Sequence, residues 1–193
     1  MISRTHDLAA ITAFGIIMVA TPALQPHDLA TLLVAILANL IGGIVPDIDQ
    51  PTAPFWRNLP IGGVVGRIID KLLGGHRFLT HSLLGLGLFG WLSWLLLAFL
   101  HPIMPAIDSW IVWMGFMIGM ISHLIMDSFT KEGVPWLLPI PVKFGFPPIR
   151  RLRITTGKAI ENFIVLPGLI LLNGWYIAAH YPAIIAMLRG LLS

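Results

Sequence analysis

Residues 109–130 read SWIVWMGFMIGMISHLIMDSFT. From Trp110 to Met126 no side chain carries a full charge, and the polar ones are confined to Ser122 and His123 near the end. About 20 apolar residues in a row are what a helix needs to cross the hydrocarbon of a bilayer. Lipid offers the backbone no hydrogen-bond partners, so such a run must be helical. Gly115 and Gly119 form a GxxxG pair, which predicts close contact with another helix. The run closes on His123 and Asp127, four residues apart and therefore on one helix face. Imidazole plus carboxylate at that spacing is a workable two-ligand unit for a divalent cation.

The rest of the chain repeats the pattern. Of its 193 residues 56% are apolar and 11% charged, where a soluble domain carries about 25% charged residues. Further apolar runs cover about residues 8–24, 29–45, 83–100 and 162–179. The expected fold is all-α: one integral membrane domain over residues 1–193, a polytopic bundle of about five transmembrane helices plus interfacial amphipathic helices. Ile61–Leu73, where Arg67, Asp70 and Lys71 interrupt an apolar pattern at helical spacing, reads as one interfacial helix, and Pro182–Ser193 as a short amphipathic tail. Gly15, Gly85, Gly87 and Gly90 are further candidates for helix contacts, although glycine is common in membrane helices in any case. The chain has no cysteine, which excludes disulfides and thiolate ligands. An N-terminal signal peptide is a competing reading of Arg4 to Leu24; His6 and Asp7 directly before the apolar run, and Pro22 inside the would-be cleavage site, favour retention.

Five crossings place the N-terminus, residues 46–82 and residues 127–161 on one face. That face collects eleven of the twelve Lys and Arg residues, all but Arg189. By the positive-inside rule it is cytoplasmic. His6, His76, His81 and His123 fall on it, with Asp7, Asp47, Asp49, Asp70, Asp127, Glu132 and Glu161. His27, His101 and His180 fall on the other face, each within two residues of a proline, and read as ordinary interfacial residues.

Four elements therefore converge: Thr5-His6 before the first run, Pro46-Asp47-Ile48-Asp49 after the second, His76-Arg77-Phe78-Leu79-Thr80-His81-Ser82 before the third, and Ser122-His123 with Asp127 and Thr130 closing the fourth. Each has a plainer reading. Pro-Asp-Ile-Asp also suits a helix stop, Thr80 or Ser82 a helix cap, and His123 with Asp127 a structural hydrogen bond. Independent decoration, however, would not gather them on one face. His6, Asp47, Asp49, His76, His81, His123 and Asp127 are the candidate ligands for a divalent transition metal, zinc or manganese with iron as a further option. They exceed the usual four ligands of one zinc, so either one ion or two are expected, a pair lying about 3.5–4 Å apart.

These elements, with Gly133-Val134-Pro135 and Thr156-Gly157 leading to Glu161, resemble the YdjM-like group of bacterial inner-membrane proteins, described as membrane-bound metal-dependent hydrolases. More loosely, the order His, Asp, His, His-x-x-x-Asp is similar, at the level of fold analogy, to that of the zinc-dependent phospholipase C and nuclease group. The resemblance implies a multi-pass protein of the bacterial inner membrane, its N-terminus and metal site cytoplasmic, hydrolysing a substrate at that face. Glu161 would be a further ligand or the general base. Arg77 would pair with a substrate phosphate or oxyanion, or else with a ligand carboxylate. Residues 143–153, KFGFPPIRRLR, mix cations with aromatics. They suit an anionic lipid or another phosphate-bearing substrate, and equally a topology-setting positive loop. The expected partner is the lipid bilayer, with no nucleic acid. Two other readings compete: a non-catalytic membrane protein with a structural metal site, and an ion or proton transporter. Transporters usually place coupling groups near the bilayer midplane on broken helices. Here the polar groups sit at helix ends, and Asn39 and Asn173 are the mid-helix exceptions.

Overall fold

The computed structural model describes residues 1–75, 77–140 and 142–192. Its regular secondary structure is helical: α1 (Ser3–Ala20), α2 (Leu29–Ile44), α3 (Pro54–Arg57), α4 (Gly62–Leu72), α5 (Leu83–Leu100), α6 (Ser109–Ser128), α7 (Leu166–Ala179) and α8 (Tyr181–Gly190). A 3-10 turn, Val45–Asp49, prolongs α2, and a π-helical turn, Glu161–Val165, opens α7. Among the described residues there is no strand, and β pairing is limited to two isolated bridges, Thr130 with Ile154 and Val134 with Phe144.

Helix starts follow from capping side chains. Asp28 accepts from the Thr31 amide at the head of α2, Ser82 from Gly85 at α5, and Asp108 from Trp110 and Ile111 at α6. Among the described residues four helical stretches are long and apolar enough to cross a membrane: Leu29–Asp49, Leu83–Leu100, Ser109–Ser128 and Glu161–Ala179. The first helix falls short on apolarity, because its opening turns carry Ser3, Arg4, Thr5, His6 and Asp7. It nevertheless runs the length of the bundle. Ile2 meets Glu161, Thr12 meets Asn173 and Ile16 meets Tyr176, so α1 and α7 lie parallel.

The tightest packing is between α2 and α6, also parallel. A Cβ on Gly119 would lie 2.0 Å from the carbonyl oxygen of Asn39, and one on Gly115 would lie 2.5 Å from that of Ala35. The GxxxG pair therefore brings two backbones into direct contact. Gly15 and Gly87 meet nothing within 4 Å, so those two glycines are not contact points. Phe14, Met18, Leu32, Ala35, Ile111 and Val112 form the core beside this seam. Outward-facing Leu33, Leu37 and Ile41 of α2 suit lipid.

The amphipathic segments differ from each other. Ile61, Val64, Ile68 and Leu72 are exposed at helical spacing along α4, the uncovered stripe expected of an interfacial helix. The C-terminal tail instead turns back after His180 as α8, packs on α1 and α7, and seats Leu191 in the core. Burying Leu191 beside Phe14 and Met18 is what holds it there.

Candidate metal centre

All four sequence elements meet at one end of the bundle. Asp127, in the last turn of α6, is its centre. Asp127 Oδ1 lies 3.2 Å from His6 Nε2 and 2.5 Å from the Met1 amino group. Its Oδ2 lies 3.6 Å from His81 Nε2, 3.8 Å from His123 Nε2 and 2.5 Å from Arg77 Nη2. Asp47, on the 3-10 turn after α2, completes the group, with Oδ1 3.6 Å from His123 Nε2 and 3.9 Å from His81 Nε2. The His6 and His123 rings stack at 3.7 Å, and His81 stands edge-on to His123 at 5.3 Å.

Two sets of ligand atoms each lie within 4.8 Å of one another: His6, His123 and Asp127, and Asp47, His81 and His123. His6, His81, His123 and Asp127 are buried, whereas the Asp47 side chain is 21% exposed. His123 Nε2 and His6 Nδ1 are buried without a hydrogen-bond partner, and His6 Nε2 faces the Asp127 carboxylate. Buried polar atoms are nearly always satisfied, so nitrogens stacked around two carboxylates fit a cation between them. The nitrogen and oxygen donors suit zinc or manganese; the set itself does not choose between them.

The residues behind the ligands explain their orientation. His123 Nδ1 lies 2.6 Å from the Gly43 carbonyl oxygen, to which it donates, which leaves Nε2 as the acceptor facing the cluster. Asp49 accepts from the Arg77 amide at 3.0 Å and from the Thr80 hydroxyl, and its Oδ2 lies 3.5 Å from His81 Nδ1. Thr80 Oγ1 is also 2.9 Å from His81 Nδ1. Burial works against a charge on His81, but Asp127 and Asp49 outweigh it and hold its pKa above the ordinary value.

Asp49, expected as a ligand, lies with Oδ2 3.5 Å from His81 Nδ1 and, among the described residues, falls in neither of the two candidate groups. Arg77 has a left-handed backbone (φ 57) and is buried, donating to Thr130 Oγ1 at 2.8 Å and contacting Asp127. Its guanidinium thus pairs with the Asp127 carboxylate, and its Nε lies 3.4 Å from Glu132. Glu161, expected as ligand or base, is fully buried and accepts from the backbone amides of Ile2 and Gly157 at 2.7 and 2.6 Å. It ties the start of α1 to the loop before α7. His76 lies outside the described residues. Of the two cap candidates, Ser82 caps α5 and Thr80 serves the site.

A cavity of about 320 Å³ opens beside the cluster, bounded by His6, Asp7 and Asp47 and by apolar Ile44, Phe55 and Leu59. Sequence reasoning places Asp7 only among the acids of this face. Its place next to His6 was the available signal.

Comparison with known proteins matches residues 1–190 to the model of the YdjM inner membrane protein family. The chain belongs to that family. It is 29% identical over 176 residues to the uncharacterized protein YvsG of Bacillus subtilis (strain 168), covering 91% of this chain and 94% of that one. It is 30% identical over 128 residues to the inner membrane protein YdjM of Escherichia coli (strain K12), covering 64% of this chain and 57% of that protein. The YdjM of Shigella flexneri matches equally. No solved structure matches the fold. The chain is thus a member of an inner-membrane protein family whose helix bundle carries a histidine–aspartate cluster able to hold a metal ion.

Proposed function

We propose that this YdjM-family chain is a metal-dependent hydrolase working at the cytoplasmic face of the inner membrane on a lipid-borne phosphoester. The carrying observation is the cavity that reaches His6 and Asp47, since a catalytic metal site keeps one side open whereas a structural one is closed. His81, His123, Asp47 and Asp127 would hold one divalent ion. His6, with the Oδ1 side of Asp127, extends the site towards a second, and His76 is kept as a further ligand by its motif. Such an ion, when bound, acidifies a coordinated water and polarises an ester oxygen.

The protein's own residues do the rest. Arg77 balances the charge of Asp127 and fixes its carboxylate, while Asp49 and Thr80 orient His81. Both oxygens of Glu161 are committed to amides, so the proposed proton acceptor is Asp7, the cavity carboxylate outside both ligand sets. The apolar cavity wall suits a lipid chain. The loop around Arg150 and Arg151, with exposed Phe146, Ile149 and Leu152, suits an anionic headgroup surface.

The test is hydrolysis of phospholipid vesicles and soluble phosphodiesters by metal-loaded protein, beside Asp7→Asn and His123→Ala. The reading expects turnover in the wild type, loss of turnover with retained metal in Asp7→Asn, and loss of both in His123→Ala. Metal bound without turnover of any ester would favour the structural-site reading. Ion flux in sealed vesicles abolished by His81→Ala would favour transport.

A further inference from the structure

A second cavity, of about 260 Å³, lies away from the metal cluster between α1, α2, α7 and α8. Its wall is apolar, built from residues such as Ile11, Phe14, Ile36 and Met187. Into this wall are set Asn39, Thr12 and Asn173, which include the two mid-helix polar residues that no part of the metal site uses. Their hydrogen bonds are mostly internal. Asn173 donates to Thr12 Oγ1 at 2.6 Å and to Leu169 O at 2.8 Å, Thr12 donates to Leu8 O at 2.6 Å, and Asn39 Nδ2 donates to Gly115 O at 3.1 Å. One group remains: Asn39 is fully buried, and its Oδ1 has no hydrogen-bond partner.

We propose that this cavity is a binding site for a membrane-borne alkyl chain carrying a neutral hydrogen-bond donor, a hydroxyl above all. The orphaned atom is an acceptor, so its ligand must donate. No Lys, Arg or His lines the cavity, so a phosphate or carboxylate would enter without a counter-charge. A single water, occupying about 30 Å³, satisfies Asn39 but leaves most of the volume empty. Two of the walls, α2 and α7, belong to helices long and apolar enough to cross a membrane, so the occupant comes from the lipid phase. Its chain covers the apolar wall while its hydroxyl meets Asn39 Oδ1. The site is independent of the hydrolase reading.

The experiment measures binding of radiolabelled 1-dodecanol to the full chain in lipid nanodiscs, after subtracting partition into empty discs. Unlabelled dodecane and dodecanoate at pH 8 serve as competitors. Two variants fill the cavity. Gly15→Leu projects from a position where an added Cβ meets nothing within 4 Å, and Ile184→Trp projects from α8. The expected result is saturable binding of one equivalent, competition at least ten-fold weaker by either competitor, and loss of binding in both variants with helix and metal content unchanged. Absence of saturable binding overturns the site. Equal competition by dodecane overturns the role of Asn39, and equal competition by dodecanoate overturns the neutral class. If both filled variants fold and still bind dodecanol as the wild type does, the location is wrong.

Discussion

His123 Nδ1 sits 2.6 Å from the carbonyl oxygen of Gly43, on the neighbouring helix. That carbonyl is available only because α2 and α6 approach backbone to backbone at Gly119, where a Cβ would stand 2.0 Å from Asn39 O. Helix packing therefore sets which nitrogen of His123 faces Asp47 and Asp127.

Gly119→Leu forces the two helices apart. It is expected to destabilise the fold by about 1–3 kcal/mol, as overpacking typically does, and to weaken metal binding by moving Gly43 away from His123. Gly87→Ala, at a position with nothing within 4 Å of its Cβ, is the neutral control. Thermal unfolding in detergent and metal titration check both.

Purified wild-type protein is expected to carry one or two equivalents of a transition metal by elemental analysis. His123→Ala and Asp127→Ala lose it. Asp49→Asn keeps every proposed ligand but disturbs the support of His81, and is expected to weaken affinity about 10–100-fold.

Arg77 is buried against Asp127. Removing one partner of such a pair leaves a buried charge, so Arg77→Ala is expected to cost about 3–5 kcal/mol in the metal-free protein. Unfolding measured with and without added metal tests this, since a bound cation restores part of the charge balance.

At the opposite end, Asp28 caps α2, and the hydroxyl and amide of Thr31 hold its carboxyl below the ordinary value. A depressed pKa contributes stability that is full above the unfolded-state pKa of about 3.9 and disappears as pH falls through the lower folded value. Asp28→Ala is expected to lower the unfolding temperature by about 2–4 °C at pH 7. The difference should shrink below pH 4 in melts at stepped pH.

The chain has no native cysteine, so single cysteines report sidedness cleanly. A cysteine at Lys143 is expected to be shielded from an impermeant thiol reagent in whole cells, and one at Met104 to be labelled. The reverse pattern would invert the proposed orientation.

The sequence by itself determined the helical class, the membrane location and the one-sided gathering of polar groups. These follow from hydropathy and from helix order, which are local properties summed along the chain. It also named most of the cluster, because His123, Asp127, His81 and Asp47 stand at run ends, where charge is costly without a purpose. Only the tertiary structure decided which of these residues face one another and which stand behind. Asp49 and Glu161 are, like Asp47, carboxylates beside run ends on the same face. What separates them is that Arg77 and Thr80 reach Asp49 and that backbone amides reach Glu161. Apart from the Gly157 amide, four residues from Glu161, those contacts join residues 28 to 159 positions apart, and no local pattern encodes them. The same holds for α8: its composition marked an amphipathic tail, but only the space beside Phe14 and Met18 made it fold back into the bundle.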